Sequence, residues 1–322
     1  MTTAQQKIGS GFGAQSTIDD VLAGIDLTGR LAVITGGYSG IGIETTHALR
    51  RAGATVVVPA RRPEVAREAL GDLDGVVVKP LDLADLESVR ACAERILDAD
   101  REIDILINCA AIMATPETRV GPGWEAQFAT NHLGHYALTN RLWPLLARGG
   151  ARVVALSSGG HRRSAMRWDD IQFEHGYDKW QAYGQAKTAN SLFAVQLDTL
   201  GQSAGVRAFA VDPGGILTPL QRHLPREEMV AFGWIDEDGN AVNPGFKTPR
   251  QGAATHTWCA TSPQLEGSGG VYCQDCDIAE IVSDDDQTPT GGVRRYAIDP
   301  DEAARLWTLS AELTGIDALA AA

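Results

Sequence analysis

Tyr183 and Lys187 are the pair of residues best suited, by type and spacing, to acid–base chemistry in this sequence. On a helix, residues four apart lie on one face, so the lysine ammonium can stabilise a tyrosine phenolate. A phenol has a reference pKa of about 10 and must lose about three units to exchange protons readily near pH 7. The lysine, helped by a positive charge on a bound molecule, could lower the pKa that far. The pair therefore predicts a general acid/base.

Two further polar positions could face the same reaction. Ser157 and Ser158 follow an apolar run at 152–156, and hydroxyls at the carboxyl end of a parallel strand point into the ligand crevice of the sheet. Asn131 falls early in a predicted helix, where asparagine is unfavourable on propensity. A specific hydrogen-bonding role is favoured for Asn131, and a buried structural amide is the alternative.

A glycine-rich turn follows the first apolar run and precedes a helical pattern. Its spacing is Gly-x3-Gly-x-Gly, which lets the backbone turn tightly and approach a diphosphate. The free N–H groups at the start of the helix favour an anionic ligand. With a strand before it and a helix after it, the turn predicts dinucleotide binding. The residues predicted to bind are Gly36, Tyr38, Ser39, Gly40, Ile41 and Gly42.

The end of the second apolar run carries Arg61 and Arg62 after Ala60. A carboxylate here would accept hydrogen bonds from an adenosine ribose and exclude a 2′-phosphate, whereas two guanidinium groups favour the phosphate. NADP(H) is therefore predicted over NAD(H); the alternative is a solvated basic pair that opens a helix. Asp82, followed by Leu83, is predicted to bind the adenine edge, or else to cap the next helix.

Short apolar runs alternate with helical-length segments along most of the chain. The predicted strands are 31–35, 55–60, 76–79, 103–108, 152–156, 206–211 and 270–273. The predicted helices are 40–52, 63–70, 85–99, 124–147, 180–201 and 249–261. Several strands are apolar at consecutive positions, as in strands buried on both faces of a sheet. The alternation predicts an α/β doubly wound fold with a seven-stranded parallel sheet flanked by helices.

The strand segments follow one another without a polar linker, which favours a single domain. We predict an N-terminal arm (1–28), the α/β domain (29–275) with a lid at about 219–248, and a C-terminal tail (276–322) with a terminal helix. The lid segment has no clear period but carries four large apolar residues, Met229, Phe232, Trp234 and Phe246. Such a segment is typical of a cover over a substrate.

The 322 residues are 44% hydrophobic and carry a formal net charge of −13. This charge repels a phosphate backbone, so nucleic-acid binding is not expected. Five cysteines, an odd number, favour a reducing compartment. No leader pattern or membrane-length apolar run is visible, so the expected location is the cytoplasm. No metal site is expected, because Cys273 and Cys276 lack a second pair at zinc spacing and the acidic run 283–286 is predicted to be a solvated turn.

Taken together, the motifs resemble those of the short-chain dehydrogenase/reductase family. They occur in the family's order over about residues 29–220. The matching positions are the turn from Thr35 to Gly42, Asp82-Leu83, Asn108-Cys109-Ala110-Ala111, Asn131, Ser158, Tyr183 with Lys187, and Pro213 to Thr218. Cys109 and Ala111 depart from the family's usual asparagine and glycine.

The resemblance implies a single Rossmann-type domain and a role for each matching residue. Tyr183 would be the general acid/base, and Lys187 would lower its pKa and hold the nicotinamide ribose. Ser158 would polarise the substrate oxygen, in preference to Ser157, and Asn131 would anchor a proton-relay water. Cofactor contacts are also implied for Asn108, Ala110, Pro213, Gly214, Ile216 and Thr218.

A long interval between Ser158 and Tyr183 looks like the retinol-dehydrogenase and protochlorophyllide-reductase-like branch of the family, which favours a bulky apolar substrate. The apolar helices that carry Trp124 and Tyr183 resemble the family's dimer-forming pair, so a homodimer or homotetramer is expected. The function predicted is hydride transfer between NADP(H) and an alcohol or carbonyl compound. The alternatives are reduction of a C=C bond and a catalytically silent NADP(H)-binding regulator.

Overall fold

The computed structural model describes residues 3–283 and 291–320. Its strands are β1 (Leu31–Thr35), β2 (Thr55–Ala60), β3 (Val76–Pro80), β4 (Ile105–Asn108), β5 (Arg119–Val120), β6 (Trp124–Glu125), β7 (Arg152–Leu156), β8 (Arg207–Asp212), β9 (Val271–Gln274), β10 (Asp277–Ile278), β11 (Ile281–Val282) and β12 (Val293–Arg294). Its α-helices are α1 (Ile18–Val21), α2 (Gly40–Arg51), α3 (Pro63–Leu70), α4 (Leu86–Leu97), α5 (Ala126–Phe128), α6 (Gly134–Gly149), α7 (Lys179–Gly201), α8 (Arg226–Ala231), α9 (Pro249–Gly252), α10 (Ala254–Thr261) and α11 (Pro300–Thr314).

The central sheet has the strand order β10-β9-β8-β7-β4-β1-β2-β3. All seven predicted strands are present and parallel, so the predicted doubly wound α/β fold is confirmed. An eighth strand, β10, pairs antiparallel with β9 at the edge and was not predicted. With two residues, it is too short to give a hydrophobic period.

Burial on both faces explains why the strands are apolar at consecutive positions. On one face, Val33 and Leu106 pack under α4, α6 and α7. On the other, Ile34 and Ile107 pack with α2 and α10. Each fully buried side chain of this size contributes about 1.5–3 kcal/mol to folding. Because the chain passes from β3 at one edge to β4 on the far side of β1, a crevice opens at the carboxyl ends of β1 and β4.

The helix predicted at 124–147 is divided in the structure. Residues 124–125 form strand β6, and the Glu125 carboxylate then accepts hydrogen bonds from the N–H groups of Gln127 and Phe128, which starts α5. A π-helical turn, Ala129–Leu133, separates α5 from α6. The apolar pattern of a π turn differs little from that of an α-helix, so the sequence did not reveal the break. The predicted helix 249–261 is likewise divided into α9 and α10.

The two ends of the described chain pack onto the α/β body. Near the start, the side-chain amide of Gln5 bonds the N–H and carbonyl of Tyr272 in β9. Near the end, α11 lies against α7, with the rings of Phe193 and Trp307 stacked 5.9 Å apart. The same helix packs against Phe128. Phe128 belongs to the segment, beginning at Trp124, whose apolar residues led to the expectation of a homo-oligomer. Most of the acidic run 283–286 lies outside the described residues.

Candidate active site

A cavity of about 1040 Å³ opens at the carboxyl ends of β1, β4, β7 and β8. Loops after β8 and aromatic residues of the 219–248 segment form its outer wall. The sequence-predicted residues that line it are Gly36, Ser39, Gly40, Ile41, Ala110, Ser158, Tyr183, Lys187, Pro213, Gly214, Ile216 and Thr218. Those that do not line it are Tyr38, Gly42, Arg61, Arg62, Asp82, Leu83, Asn108 and Asn131.

Tyr183 and Ser158 meet inside this cavity. The side chain of Asp178 caps α7 by accepting from two N–H groups, so Tyr183 falls in the second turn, where it is buried. The hydroxyls of Tyr183 and Ser158 lie close together, and their interaction acts to lower the pKa of Tyr183. Gly160 leaves space for the ring, because a Cβ there would lie 2.7 Å from Tyr183 Cε1. Ser157 also lines the cavity, but its hydroxyl donates to the carbonyl of Lys187 at 2.8 Å.

Lys187 lies beside the tyrosine ring without bonding its hydroxyl. Its ammonium is 5.6 Å from the ring centre of Tyr183 and donates to the carbonyl of Leu156 at 2.8 Å. Burial lowers the pKa of Lys187 to about 8. Burial, with a smaller contribution from the Asp212 carboxylate, raises the pKa of Tyr183 to about 12. In the protein by itself, the tyrosine pKa is therefore shifted in the direction opposite to the one predicted from the lysine.

Asn131 lies in the π-helical turn, outside the cavity wall. Its amide oxygen accepts from the N–H of Ile112, and its amide nitrogen donates to the carbonyl of the same residue, each at 2.9 Å. The main-chain carbonyl of Asn131 is 2.9 Å from Nδ1 of the buried His135. The side chain therefore fixes the segment after β4, next to Met113 in the cavity wall.

The glycine-rich turn is packed so tightly that its glycines cannot carry side chains. A Cβ on Gly42 would overlap the carbonyl oxygen of Gly36. Gly36 has a positive φ of +70°, and a Cβ there would lie 3.0 Å from Cα of Ala110. The Thr35 hydroxyl accepts from the N–H groups of Cys109 and Ala110, at 2.9 and 3.1 Å, and joins the two segments.

The residues predicted at the adenine end lie farther out. The carboxylate of Asp82 accepts from the N–H of Ala84 at 2.9 Å, and the cap of α4 is Asp85, so Asp82 does not cap the helix. Leu83 packs against Gly134. The amide nitrogen of Asn108 donates to Thr139 at 3.2 Å, while its buried oxygen has no partner among the described residues.

Comparisons with known proteins agree with this architecture. The profile of the short chain dehydrogenase family matches residues 30–229. A probable oxidoreductase of Streptomyces lividans is 44% identical over 297 residues, covering 89% of this chain and 98% of the relative. The chain belongs to the short-chain dehydrogenase/reductase family. Mouse retinol dehydrogenase 12 is 36% identical, covering 91% of this chain and 88% of the relative, which supports the retinol-dehydrogenase-like branch.

A solved structure gives the same answer for the fold. The crystal structure of an uncharacterized protein from Mycobacterium paratuberculosis has a TM-score of 0.69 and 32% identity, covering 95% of this chain and 98% of that one. This short-chain dehydrogenase/reductase is therefore an oxidoreductase of a family that binds nicotinamide cofactors. Within residues 3–283 and 291–320, no helix is long and apolar enough to cross a membrane.

The donors in and near the cavity suit a dinucleotide. The turn from Gly36 to Gly42 presents bare backbone at the start of α2, where N–H groups bind anions. Arg61 and Arg62 are exposed at the end of β2, and neither has a carboxylate within ion-pair distance among the described residues. These residues therefore fit the family's nicotinamide cofactor, with backbone donors at the turn and positive charge after β2.

Several cavity residues of this family member were not predicted. Asp212 ends β8 and accepts from the N–H of Gly214 at 2.9 Å; the rule that selected Ser158 at a strand end would have found it. Trp180 precedes Tyr183 by one helical turn and packs edge-on against Trp234. Arg222, in the segment after β8, also lines the cavity. Ala14, from the N-terminal arm, also lines the cavity, and nothing in its sequence neighbourhood indicates this.

Proposed function

We propose that this protein transfers a hydride between NADP(H) and an alcohol or carbonyl compound, with Tyr183 as the general acid/base. The observation that carries the proposal is that the hydroxyls of Tyr183 and Ser158 meet beside Lys187, in the crevice where doubly wound sheets bind ligands. The nicotinamide supplies or accepts the hydride when bound. The protein then has one proton to move at the substrate oxygen.

Tyr183 is suited to donate that proton. With a pKa of about 12 it is protonated at neutral pH, so it can protonate a carbonyl oxygen as negative charge develops there. The Ser158 hydroxyl would polarise the same oxygen. Lys187 keeps most of its positive charge below pH 8, near the phenolate that remains. The amide of Asn131 makes one hydrogen bond to the N–H and one to the carbonyl of Ile112, so a role in proton relay would use its remaining donor and acceptor capacity or its main-chain carbonyl.

The preference for NADP(H) over NAD(H) rests on the end of β2. Ala60 stands where a carboxylate would bind the adenosine ribose, and Arg61 and Arg62 follow it. A 2′-phosphate would neutralise these guanidinium groups, whereas the two ribose hydroxyls of NAD(H) would not.

A bulky apolar alcohol, aldehyde or ketone is the substrate class that the outer wall favours. Trp180, Trp234, Phe246 and Met113 line the cavity on the side of Tyr183. The lid segment is held to α7 by Glu228, which accepts from the indole of Trp180 at 2.9 Å. The relative named retinol dehydrogenase takes its name from a substrate of this kind.

The proposal is tested by following absorbance at 340 nm with NADPH and then NADH, against ketones, aldehydes and enones. Tyr183→Phe removes only the hydroxyl, and we expect it to lower turnover about 10²- to 10⁴-fold while NADPH binding persists. Tyr136→Phe is the matched control, because it removes a hydroxyl that bonds the carbonyl of Ile316 outside the cavity. Full turnover by Tyr183→Phe would refute the assignment.

The same assay separates the two alternative functions. Turnover of enones but not of isolated ketones or aldehydes would indicate C=C reduction. NADPH binding without turnover of any of the three classes would indicate a silent regulator, although such a protein has no need of the Ser158, Tyr183 and Lys187 set.

The oligomeric state and the compartment remain predictions. Because α11 packs against Phe128 and Leu192, part of the apolar face predicted to form the homodimer or homotetramer is covered within the chain. Light scattering on the purified chain measures its mass. The cytoplasm remains the predicted location, and all five cysteines are free.

A further inference from the structure

The segment after Thr218 lies over the glycine-rich turn. A Cβ added to Gly40 would lie 3.4 Å from Cβ of Thr218. Thr218 then caps a 3₁₀ helix, Pro219–His223, and the side chain of Gln221 bonds the N–H of Thr218 and the carbonyl of Ile216, each at 2.8 Å. These bonds fix the backbone of the 3₁₀ helix relative to the turn.

Arg222 extends from this 3₁₀ helix into the wall that Ser39 and Gly40 also form. Within residues 3–283 and 291–320, its guanidinium makes one hydrogen bond, to the carbonyl of Pro219 at 3.1 Å, and has no carboxylate partner. Most of its five N–H donors are therefore available to a ligand.

Arg222 lies near enough to Arg61 and Arg62, the two arginines that follow β2, for their charges to interact. That strand is the neighbour of β1 in the sheet, so Arg61 and Arg62 lie beside the turn that β1 feeds. Partial burial lowers the pKa of Arg222, and the positive charges of Arg61 and Arg62 lower it further. Arg61 also lowers the pKa of His223, behind burial and Arg222. The net charge of the protein is −13, so three neighbouring guanidinium groups are an unusual local concentration of positive charge. A bound anion would offset the repulsion among them.

We propose that Arg222 contributes a third guanidinium, with Arg61 and Arg62, to the binding of the 2′-phosphate of NADP(H). This inference rests on the proposed NADP(H) preference. A guanidinium binds a phosphate with two parallel hydrogen bonds, and three of them neutralise its charge.

The experiment measures binding of two fragments by calorimetry: adenosine 2′,5′-bisphosphate and adenosine 5′-monophosphate. In the wild type, the bisphosphate should bind more tightly. Arg222→Ala should weaken the bisphosphate about 10- to 100-fold, the loss expected for one charge-assisted contact, and change the monophosphate by less than about twofold. Arg226→Ala is the matched control, because Arg226 lies four residues later and bonds the carbonyl of Glu237. It should leave both affinities unchanged.

The outcomes separate this inference from the proposed function. If Arg61→Ala lowers the preference for the bisphosphate and Arg222→Ala does not, the role of Arg222 is refuted and the NADP(H) preference stands. If Arg222→Ala weakens the binding of both fragments equally, the role is also refuted, because Arg222 would then support nucleotide binding without contacting the 2′-phosphate. If the wild type shows no preference, both the inference and the NADP(H) preference fail, while the Tyr183→Phe assay still decides hydride transfer.

Discussion

The ammonium of Lys187 lies 5.6 Å from the ring centre of Tyr183, and its hydrogen bond goes to the carbonyl of Leu156 rather than to the phenol. Both side chains are buried, and burial disfavours the charged form of each. The phenol therefore keeps its proton at neutral pH, and the lysine holds its own less firmly than a lysine in water. This arrangement suits proton donation to a carbonyl oxygen.

Carbonyl reduction should depend on the charge of Lys187. Because its pKa is lowered to about 8, we expect kcat/KM for reduction to be constant from pH 6 to 7 and to fall as the pH rises through about 8. Lys187→Arg keeps the charge at higher pH and should move the fall upward. A pH–rate profile with saturating NADPH measures this. A wild-type rate that stays constant to pH 10 would contradict the assignment.

His161 should position Ser158. Its Nδ1 lies 2.7 Å from the carbonyl of Ser158, and its Nε2 accepts from the N–H of Arg294 at 3.2 Å, so the proton resides on Nδ1. Burial lowers the pKa of His161 to about 4, which keeps the ring neutral in any ordinary assay. In the His161→Phe variant, Ser158 would lose a contact that fixes its position. We expect kcat to fall about tenfold, because a small displacement of a group at the reaction centre slows catalysis.

Two readouts distinguish positioning by His161 from a simple loss of stability. The KM for NADPH should be unchanged, since the cofactor contacts lie elsewhere in the cavity. The shape of the pH–rate profile should also be unchanged, because the histidine does not titrate there. An unaltered kcat in a folded His161→Phe protein would show that the contact to Ser158 does not matter for turnover.

Gly134 should tolerate no side chain. A Cβ on this residue would overlap the carbonyl oxygen of Leu83 and lie 2.8 Å from its Cβ. We expect Gly134→Ala to lower the free energy of unfolding by about 1–3 kcal/mol, the usual cost of overpacking. Gly149→Ala, at the other end of α6, is the control: its Cβ would make an ordinary 3.5 Å contact with Glu102. Urea unfolding of the two variants measures the difference, and equal midpoints would contradict the prediction.

The protein should lose stability in mild acid because of its buried histidines. Burial lowers the pKa of His132 and His256 to about 3 and of His135 to about 4. Between pH 6.5 and 4 the histidines bind protons in the unfolded chain but not in the folded chain. The free energy of unfolding therefore decreases as the pH is lowered through this range. Each histidine contributes up to about 1.4 kcal/mol per pH unit. Urea midpoints from pH 7 to 4.5 test this, and a flat series would contradict it.

Much of the fold and part of the site could be predicted from the sequence, because their signals are local. Consecutive apolar residues in β1 and β2 mark strands buried on both faces, whichever strand lies next to them. The i, i+4 spacing of Tyr183 and Lys187 places them on one helix face. A strand, a glycine-rich turn and a helix in succession specify the anion cradle without any distant contact.

Only the tertiary structure decided which groups face the cavity. Ser157 and Ser158 both line the cavity, but the hydroxyl of the first is bonded to the carbonyl of Lys187 and that of the second lies close to Tyr183. From the sequence, the amide of Asn131 was expected to bind a water. In the structure, it is hydrogen-bonded to the backbone of Ile112.

Contacts between distant parts of the chain were equally invisible in the sequence. Arg222 comes near Arg61 because of the path that the loop after β8 takes across the sheet. Phe128 is covered because α11, more than 170 residues later in the chain, packs against it. Residue type and spacing record what a side chain can do. Which partner it meets is set by the crossing of elements far apart in the chain, and local sequence carries no signal of that.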